Sequence, residues 1–194
     1  MQTKTRKLTL LELIQIHGSM ARDFHKGEIK PLWRILYLWL QGRYLGYGYF
    51  EGEARVGYML FYKPGRQAGN TLLDYYAIDP SFRSKGYGSA FFQAVCTQVP
   101  GLVLEVEDPA FSLDEQDRVK RERRIAFYQR NGCRMTQLKA SILEEHYCIM
   151  TGPGTVGARL LPSMDRLYRG IFGRAFAQKH ICLLYTSDAA DDLI

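Results

Sequence analysis

The alternation of apolar and polar residues predicts a series of short helices and strands. Apolar residues recur at helical spacing in residues 8–24, where Thr9 can cap the helix, and a short strand is expected before it. A second helix is predicted at 31–40, with Pro31 in its first turn. Its apolar faces are so wide that we expect it to be largely buried. Residues 43–62 alternate as a β-hairpin around the turn Glu-Gly-Glu.

The following segment predicts alternating strands and helices, bounded by proline and glycine. The predicted spans are a strand at 70–78, a helix at 86–99, a strand at 102–107, a helix at 114–132 and strands at 133–143 and 146–150. Asp114 is suited to cap the second of these helices, and Gly132 to end it.

The character of the chain changes after Pro153. Leucines and aromatics at helical spacing, interleaved with arginines, predict a basic amphipathic helix that packs on the domain or on a second copy. Binding to a membrane surface or to nucleic acid is the alternative. We expect a core domain at 1–152, a helical extension at 153–180 and a disordered tail at 181–194, whose sequence resembles translated adapter sequence.

Composition narrows the class of protein. The chain has 194 residues, 46% hydrophobic and 24% charged, with a net charge of +6. No apolar run is long enough to span a membrane and no signal peptide is visible, so we expect a cytoplasmic protein without a membrane partner. The four cysteines lack zinc-ligand spacing, and we expect no metal. The basic excess suits nucleic acid, a phospholipid surface or a phosphate-bearing cofactor.

The stretch DPSFRSKGYGSAFF, residues 79–92, places a glycine-rich, cationic turn between a strand and a helix. Helix N-termini present unpaired amides to anions, and glycine lets the backbone approach phosphate closely. The chain has no G-x-x-x-x-G-K-[ST] string, and G-x-G-x-x-G fails because Phe91 occupies its third glycine position. The pattern [RQ]-x-x-G-x-[GA] is satisfied by Arg83, Gly86 and Gly88.

That pattern resembles the acetyl-coenzyme A pyrophosphate loop of the GNAT superfamily of N-acetyltransferases. LLDYYAIDPSFRSKGYGSAFF is similar to the central motif of the superfamily over its full length, and RRIAFYQRNGCR resembles its second motif. The resemblance covers about residues 3–150 and, more narrowly, points to a bacterial branch. It implies an α/β (α+β) fold: a mixed, mostly antiparallel sheet of six to seven strands, with splayed central strands and helices on both faces.

The resemblance also implies the cofactor and its binding residues. Acetyl-CoA would be the co-substrate, with its pantetheine arm on the backbone of one strand, its pyrophosphate on the turn and its thioester where the central strands splay apart. The residues assigned in this way are Tyr76, Ala77, Ile78, Arg83, Ser84, Lys85, Gly86, Tyr87, Gly88 and Ser89. Arg121 stands where many relatives carry a cofactor-contacting asparagine, so Arg121 or Arg124 would contact phosphate or be solvated.

Direct transfer of acetyl to an amine needs a proton donor for the leaving thiolate and a base or orienting group for the amine. Tyr128 matches the acid of many relatives, although a core tyrosine is the alternative. Alternation places Glu105 and Glu107 on one strand face, and buried strand carboxylates are costly without a role, so Glu105 is the first candidate base. Leu72 replaces the glutamate that some relatives place early in the central strand.

The acceptor site of the superfamily is lined by the loop between its first two helices. The residues expected to bind a cationic small molecule are Asp23, Glu28, Asp74, Glu107 and Tyr147. A structural pair between Asp74 and an arginine is an equal alternative. The alternative acceptors are a protein lysine or N-terminus. A homodimer is left open.

A nucleic-acid-binding protein is the rival of a different class. Residues 118–124, RVKRERR, are dense in cations. On a helix these residues spread around the axis and Glu122 interrupts them, so we favour a solvated face and expect no nucleic-acid partner.

Overall fold

A computed structural model describes residues 3–25, 27–65, 69–96, 99–155 and 160–185. The chain divides into two compact units. The first comprises Met1–Ala68 and Leu73–Gln98, and the second comprises Gly69–Leu72 and Val99–Ile194.

The described residues form six α-helices and eight strands. The helices are α1 Leu10–Ser19, α2 Leu32–Leu40, α3 Tyr87–Cys96, α4 Glu115–Arg130, α5 Leu160–Phe172 and α6 Arg174–His180. The strands are β1 Thr3–Lys7, β2 Tyr44–Glu51, β3 Ala54–Tyr62, β4 Thr71–Ile78, β5 Leu102–Glu107, β6 Arg134–Ile142, β7 Glu145–Thr151 and β8 Ile181–Tyr185. This mixed, mostly antiparallel α/β architecture confirms the predicted fold class, with one strand more than expected.

In the first unit the strand order is β1-β2-β3-β4. The predicted hairpin is present: β2 and β3 pair antiparallel, with Tyr44 opposite Tyr62. Helix α1 begins as predicted at Thr9, whose hydroxyl accepts from the amide of Glu12 at 3.3 Å while Glu12 accepts from the amide of Thr9 at 2.9 Å. This reciprocal cap satisfies two amides that the helix itself leaves without acceptors.

Helix α2 corrects one prediction. Only Ile35 and Leu38 among its residues are buried, whereas Trp33, Tyr37 and Leu40 are exposed. Apolar residues around the whole helix predicted burial on all sides. The helix lies on the surface of its unit, however, so only the face that carries Ile35 and Leu38 is buried.

In the second unit the strand order is β5-β7-β6-β8. Strand β8 is antiparallel to β6, with Leu183 opposite Ala140. Residues 181–185 were expected to be disordered, but they form this strand. The backbone of the apolar run ICLLY finds hydrogen-bond partners along the free edge of β6. Residues 186–194 of the expected tail lie outside the described residues.

Helix α5 supplies the second unit with core residues. Met164, Leu167, Tyr168 and Ile171 are at most 1% exposed. Their i, i+3, i+4, i+7 spacing is the one that predicted an amphipathic helix. The apolar face of α5 is therefore covered within the chain itself.

Candidate functional site

The turn between β4 and α3 contains the predicted phosphate-binding residues of the first unit. Asp79 closes the end of β4 by accepting from the amide of Ser81 at 3.1 Å and from its hydroxyl at 2.6 Å. These bonds hold the pKa of Asp79 below its ordinary value. The backbone then bends through two residues in the left-handed region, Ser84 at φ 61° and Gly86 at φ 82°.

One residue of this turn, Gly86, faces open space. A Cβ atom placed on Gly86 would meet no other atom within 4 Å. The amide of Ala90 donates to the carbonyl of Gly86 at 3.2 Å. The amides that precede Ala90 in the first turn of α3 have no acceptor within the helix, as at any helix start. A helix start that follows a glycine facing open space fits a diphosphate, which such amides bind well.

Strand β4 is fastened to the start of α3 by Tyr76. Its hydroxyl donates to the carbonyl of Gly88 at 2.7 Å, and its ring packs against Phe91 with centroids 6.0 Å apart. The predicted pantetheine strand, Tyr76 to Ile78, is thereby fixed relative to the turn.

Both predicted cations of the turn are exposed, and both make contacts within the first unit. Lys85 Nζ donates to the carbonyl of Ser81 at 2.9 Å. Arg83 Nε donates to the carbonyl of Ile78 at 2.8 Å, and Arg83 Nη2 lies 2.9 Å from Asp23 Oδ1. The sequence predicted these cations but not their partners.

The predicted acceptor loop is attached to β4. Tyr75 is the link, because its hydroxyl donates to the carbonyl of Glu28 at 2.7 Å and accepts from the amide of Lys30 at 2.9 Å. Burial, together with the carboxylate of Asp74, raises the pKa of Tyr75 to about 12, so the hydroxyl remains protonated at physiological pH. The side chain of Glu28 is exposed and accepts from the amide of His25 at 3.3 Å.

Asp74 forms an ion pair of the kind expected as its alternative, but the partner is a lysine. Lys30 Nζ lies 2.7 Å from Asp74 Oδ1, and the hydroxyl of Tyr44 donates to Asp74 Oδ2. Burial and the carboxylate of Asp74 raise the pKa of Tyr44 well above its ordinary value. The expected arginine is therefore replaced by a lysine from a loop 44 residues earlier in the chain.

In the second unit, Glu105 and Glu107 lie on one face of β5, as predicted, and the buried residues Leu104 and Val106 lie on the other. Glu105 lies opposite Ile149 of β7, and its Oε1 atom is buried. Glu107 lies opposite Tyr147 and forms an ion pair with Arg124.

Tyr168 of α5 is the neighbour of Glu105 that the sequence did not reveal. It is 1% exposed, and burial together with the adjacent carboxylate of Glu105 raises its pKa well above the ordinary value. Tyr147 contributes to the same rise. Helical periodicity predicted that Tyr168 is buried, but it carries no information on which strand residue Tyr168 meets.

Helix α4 carries the predicted acid. Tyr128 is 8% exposed, packs edge-on against Phe127 at 5.3 Å, and accepts from the amide of Cys133 through its carbonyl. Asp114 caps this helix, as predicted, by accepting from the amide of Asp117 at 2.8 Å.

One arginine of α4 differs from expectation. Arg121 is buried, with Nε 2.9 Å from Asp117 and Nη1 3.0 Å from the carbonyl of Asp108, so it is not solvated. Arg118 and Arg124 are about half exposed, as a solvated face predicts, and Arg118 forms ion pairs with Glu115 and Glu122. Together with the pair between Arg124 and Glu107, these bonds engage three of the five cations in residues 118–124 within the second unit.

Comparison with protein families settles the class of protein. The model of the acetyltransferase (GNAT) family matches residues 13–133, which include the β4–α3 turn and Tyr128. The chain belongs to this family. It is therefore an acyltransferase, and acetyl-CoA is the co-substrate of the family. No curated protein matches the sequence.

Solved structures of GNAT acetyltransferases share the fold. An acetyltransferase of the family from Bacteroides thetaiotaomicron is 19% identical, with a TM-score of 0.69, over 88% of this chain and 99% of its own. The ribosomal-protein-S18-alanine N-acetyltransferase from Escherichia coli is 18% identical, with a TM-score of 0.56, over 82% and 99%.

A spermidine N-acetyltransferase variant from Vibrio cholerae is 11% identical, with a TM-score of 0.56, over 77% of this chain and 92% of its own. At these identities the likeness establishes the fold alone. Within the described residues, no helix combines the length and the apolarity that a bilayer crossing requires.

Proposed function

We propose that this GNAT acetyltransferase moves the acetyl group of acetyl-CoA directly to a primary amine of a small cationic molecule. The observation that carries the proposal is the β4–α3 turn, where Ser84 and Gly86 are left-handed, Gly86 faces open space and the first turn of α3 follows directly. This arrangement fits a diphosphate group.

The first unit would hold the cofactor. The turn residues Arg83 to Ser89 would bind the diphosphate, mainly through their amides, and the backbone of Tyr76, Ala77 and Ile78 would pair with the pantetheine arm. When bound, acetyl-CoA supplies a thioester whose carbonyl carbon an amine can attack. The bond from Tyr76 to Gly88 supports this assignment, because it fixes the strand against the turn.

The proposed acid and base are Tyr128 and Glu105. Tyr128 Oη is the proposed donor of a proton to the leaving thiolate, and Glu105 is the proposed acceptor of the amine proton, through water. Asp74 is a weaker candidate base, because Lys30 and Tyr44 already engage both of its oxygens. Glu105 is preferred for that reason.

Carboxylates favour a cationic acceptor. Glu28 is exposed, and Asp23 forms an ion pair with half-exposed Arg83. Among the structural neighbours, one is named for spermidine and another for a protein alanine, so polyamines and alanine-starting peptides are the two acceptor classes to compare. We propose the small-molecule class.

Nucleic-acid binding receives less support from the structure. Arg118, Arg121 and Arg124 of the basic segment are engaged by carboxylates of the second unit. Binding to a phosphate backbone would have to break these ion pairs.

Titration calorimetry with CoA tests the proposal. We expect binding with a Kd on the order of micromolar, and about 100-fold weaker binding for Gly86→Glu, whose carboxylate would add a negative charge to the turn and repel the diphosphate. Gly42→Glu is the matched control, because Gly42 also has a positive φ, 67°, and open space around it. Equal CoA affinity in the wild type and Gly86→Glu would reject the assignment.

A further inference from the structure

The guanidinium of Arg83 joins three parts of the first unit. Its Nε atom holds the carbonyl of Ile78 at the end of β4, and its Nη2 atom holds the carboxylate of Asp23. Arg83 itself belongs to the phosphate turn. One side chain therefore contacts the proposed pantetheine strand, the proposed diphosphate turn and the proposed acceptor loop.

The two partners of this ion pair differ in their access to water. The side chain of Arg83 is 52% exposed, whereas that of Asp23 is 7% exposed. Arg83 can therefore turn toward another anion at little cost. Asp23 cannot lose its partner as easily, because a carboxylate removed from water needs a compensating charge.

Among the described residues, Tyr58 is a second hydrogen-bond partner of Asp23. The hydroxyl of Tyr58 lies 3.4 Å from Asp23 Oδ2, and burial, with the charge of Asp23, raises the pKa of Tyr58 above its ordinary value. A neutral phenol at this distance replaces only part of the stabilisation that a guanidinium gives.

A diphosphate bound at the turn and the carboxylate of Asp23 would compete for the same guanidinium. We propose that Asp23 draws Arg83 away from the cofactor's diphosphate until a cationic group of the acceptor takes the place of Arg83 at Asp23. This inference rests on the proposed function. It makes Asp23 a residue that recognises the acceptor cation and links acceptor binding to cofactor affinity.

CoA affinity of the single variants gives the first measurement, which needs no acceptor. Asp23→Asn frees Arg83, so we expect CoA to bind about fivefold more tightly than to the wild type, in line with typical coupling energies. Arg83→Gln removes the shared cation and is expected to bind CoA more weakly. Glu53→Gln is the charge-matched control, since Glu53 is an exposed carboxylate of the β2–β3 turn in the same unit.

The double variant separates competition from a general charge effect. If the two anions compete for Arg83, Asp23→Asn tightens CoA binding only while Arg83 is present, and adds nothing in the Arg83→Gln background. Dephospho-CoA, which lacks the 3′-phosphate but keeps the diphosphate, is expected to show the same coupling. Coupling seen only with CoA would place Arg83 at the 3′-phosphate and overturn the inference.

The outcomes distinguish this inference from the function on which it rests. No CoA binding by the wild type would remove the proposed function and the inference together. CoA binding that Asp23→Asn leaves unchanged or weakens would overturn the inference alone. Thermal unfolding of each variant checks the fold, and Arg83→Lys, which keeps the charge but loses the planar fork, provides a second route if Arg83→Gln fails to fold.

Discussion

Lys30 reaches Asp74 across 44 residues of sequence, with Nζ and Oδ1 2.7 Å apart. Their side chains are only 12% and 7% exposed. The ammonium also lies 5.1 Å from the centre of the Tyr75 ring. The loop that precedes α2 is thus attached to β4 by a shielded ion pair, and this pair orders the proposed acceptor loop.

Breaking this ion pair on one side is expected to destabilise the protein strongly. Lys30→Met leaves the Asp74 carboxylate shielded from water without its cation, which costs about 3–5 kcal/mol in comparable cases. Urea unfolding at pH 7 measures the loss. The double variant Lys30→Met/Asp74→Leu removes both charges and should recover much of it. A Lys30→Met protein as stable as the wild type would show that Lys30 contributes nothing to the fold.

Local sequence patterns predicted what depends on neighbours along the chain. The caps at Thr9 and Asp114, and the placement of Glu105 and Glu107 on one face of β5, follow from spacing and were confirmed. The positive φ of Gly86 likewise agrees with a glycine-dependent turn.

Pairs between distant residues could not be predicted in this way. Charge alone suggested an arginine for Asp74, and nothing local identifies Lys30 as its partner or Tyr168 as the neighbour of Glu105. The partial exposure of α2 was missed for the same reason. An apolar pattern does not show how much of a helix the rest of the protein packs against. The pairing of β8 depends on the free edge of β6, which only the assembled sheet provides.

Tyr128→Phe is expected to lower turnover without changing CoA affinity. The substitution keeps the ring that packs against Phe127 but removes the proposed proton donor, and general acids contribute about 100-fold or more to rate. Assays of free-thiol release with a polyamine and an alanine-starting peptide measure turnover, and calorimetry measures CoA affinity.

Tyr49→Phe is the matched control, because Tyr49 is a buried tyrosine of β2 whose hydroxyl bonds Thr3 at 2.9 Å. If Tyr128→Phe retains full turnover but loses stability, Tyr128 is a core residue and the acid role is refuted.

Tyr168→Phe is expected to affect both the fold and the reaction through Glu105. The hydroxyl of Tyr168 is buried beside Glu105, and removing a polar neighbour from a buried polar group costs about 1–3 kcal/mol. Because the effect acts through Glu105, it should shrink in the Glu105→Gln background, with a coupling energy of about 1 kcal/mol. Urea unfolding of the two single variants and the double variant gives this energy.

Leu167→Ala provides the comparison on the same helix. It is expected to cost about 2–5 kcal/mol through a cavity, because Leu167 is fully buried. Its effect should add to that of Glu105→Gln without coupling. Additive losses for Tyr168→Phe as well would mean that α5 contributes only packing to the second unit.

Glu12 should make a measurable part of the stability depend on pH. Hydrogen bonds from Arg6, at 2.6 and 2.8 Å, together with the cap bonds of Thr9, lower the pKa of Glu12 from 4.5 to about 2. The folded state therefore favours the ionised carboxylate. Its contribution is complete above about pH 4.5 and is lost as the pH falls from there to about 2.

The expected size at neutral pH is about 1 kcal/mol, since Arg6 is 40% exposed and solvent screens the pair. Glu12→Gln keeps the shape and the cap acceptor but removes the charge. The difference in unfolding free energy between wild type and Glu12→Gln should be constant from pH 7 to 5 and vanish toward pH 2. Taking the difference cancels the titration of other carboxylates, such as Asp79 and Asp108. A difference that grows on acidification would have the wrong sign for a lowered pKa and would contradict the pairing with Arg6.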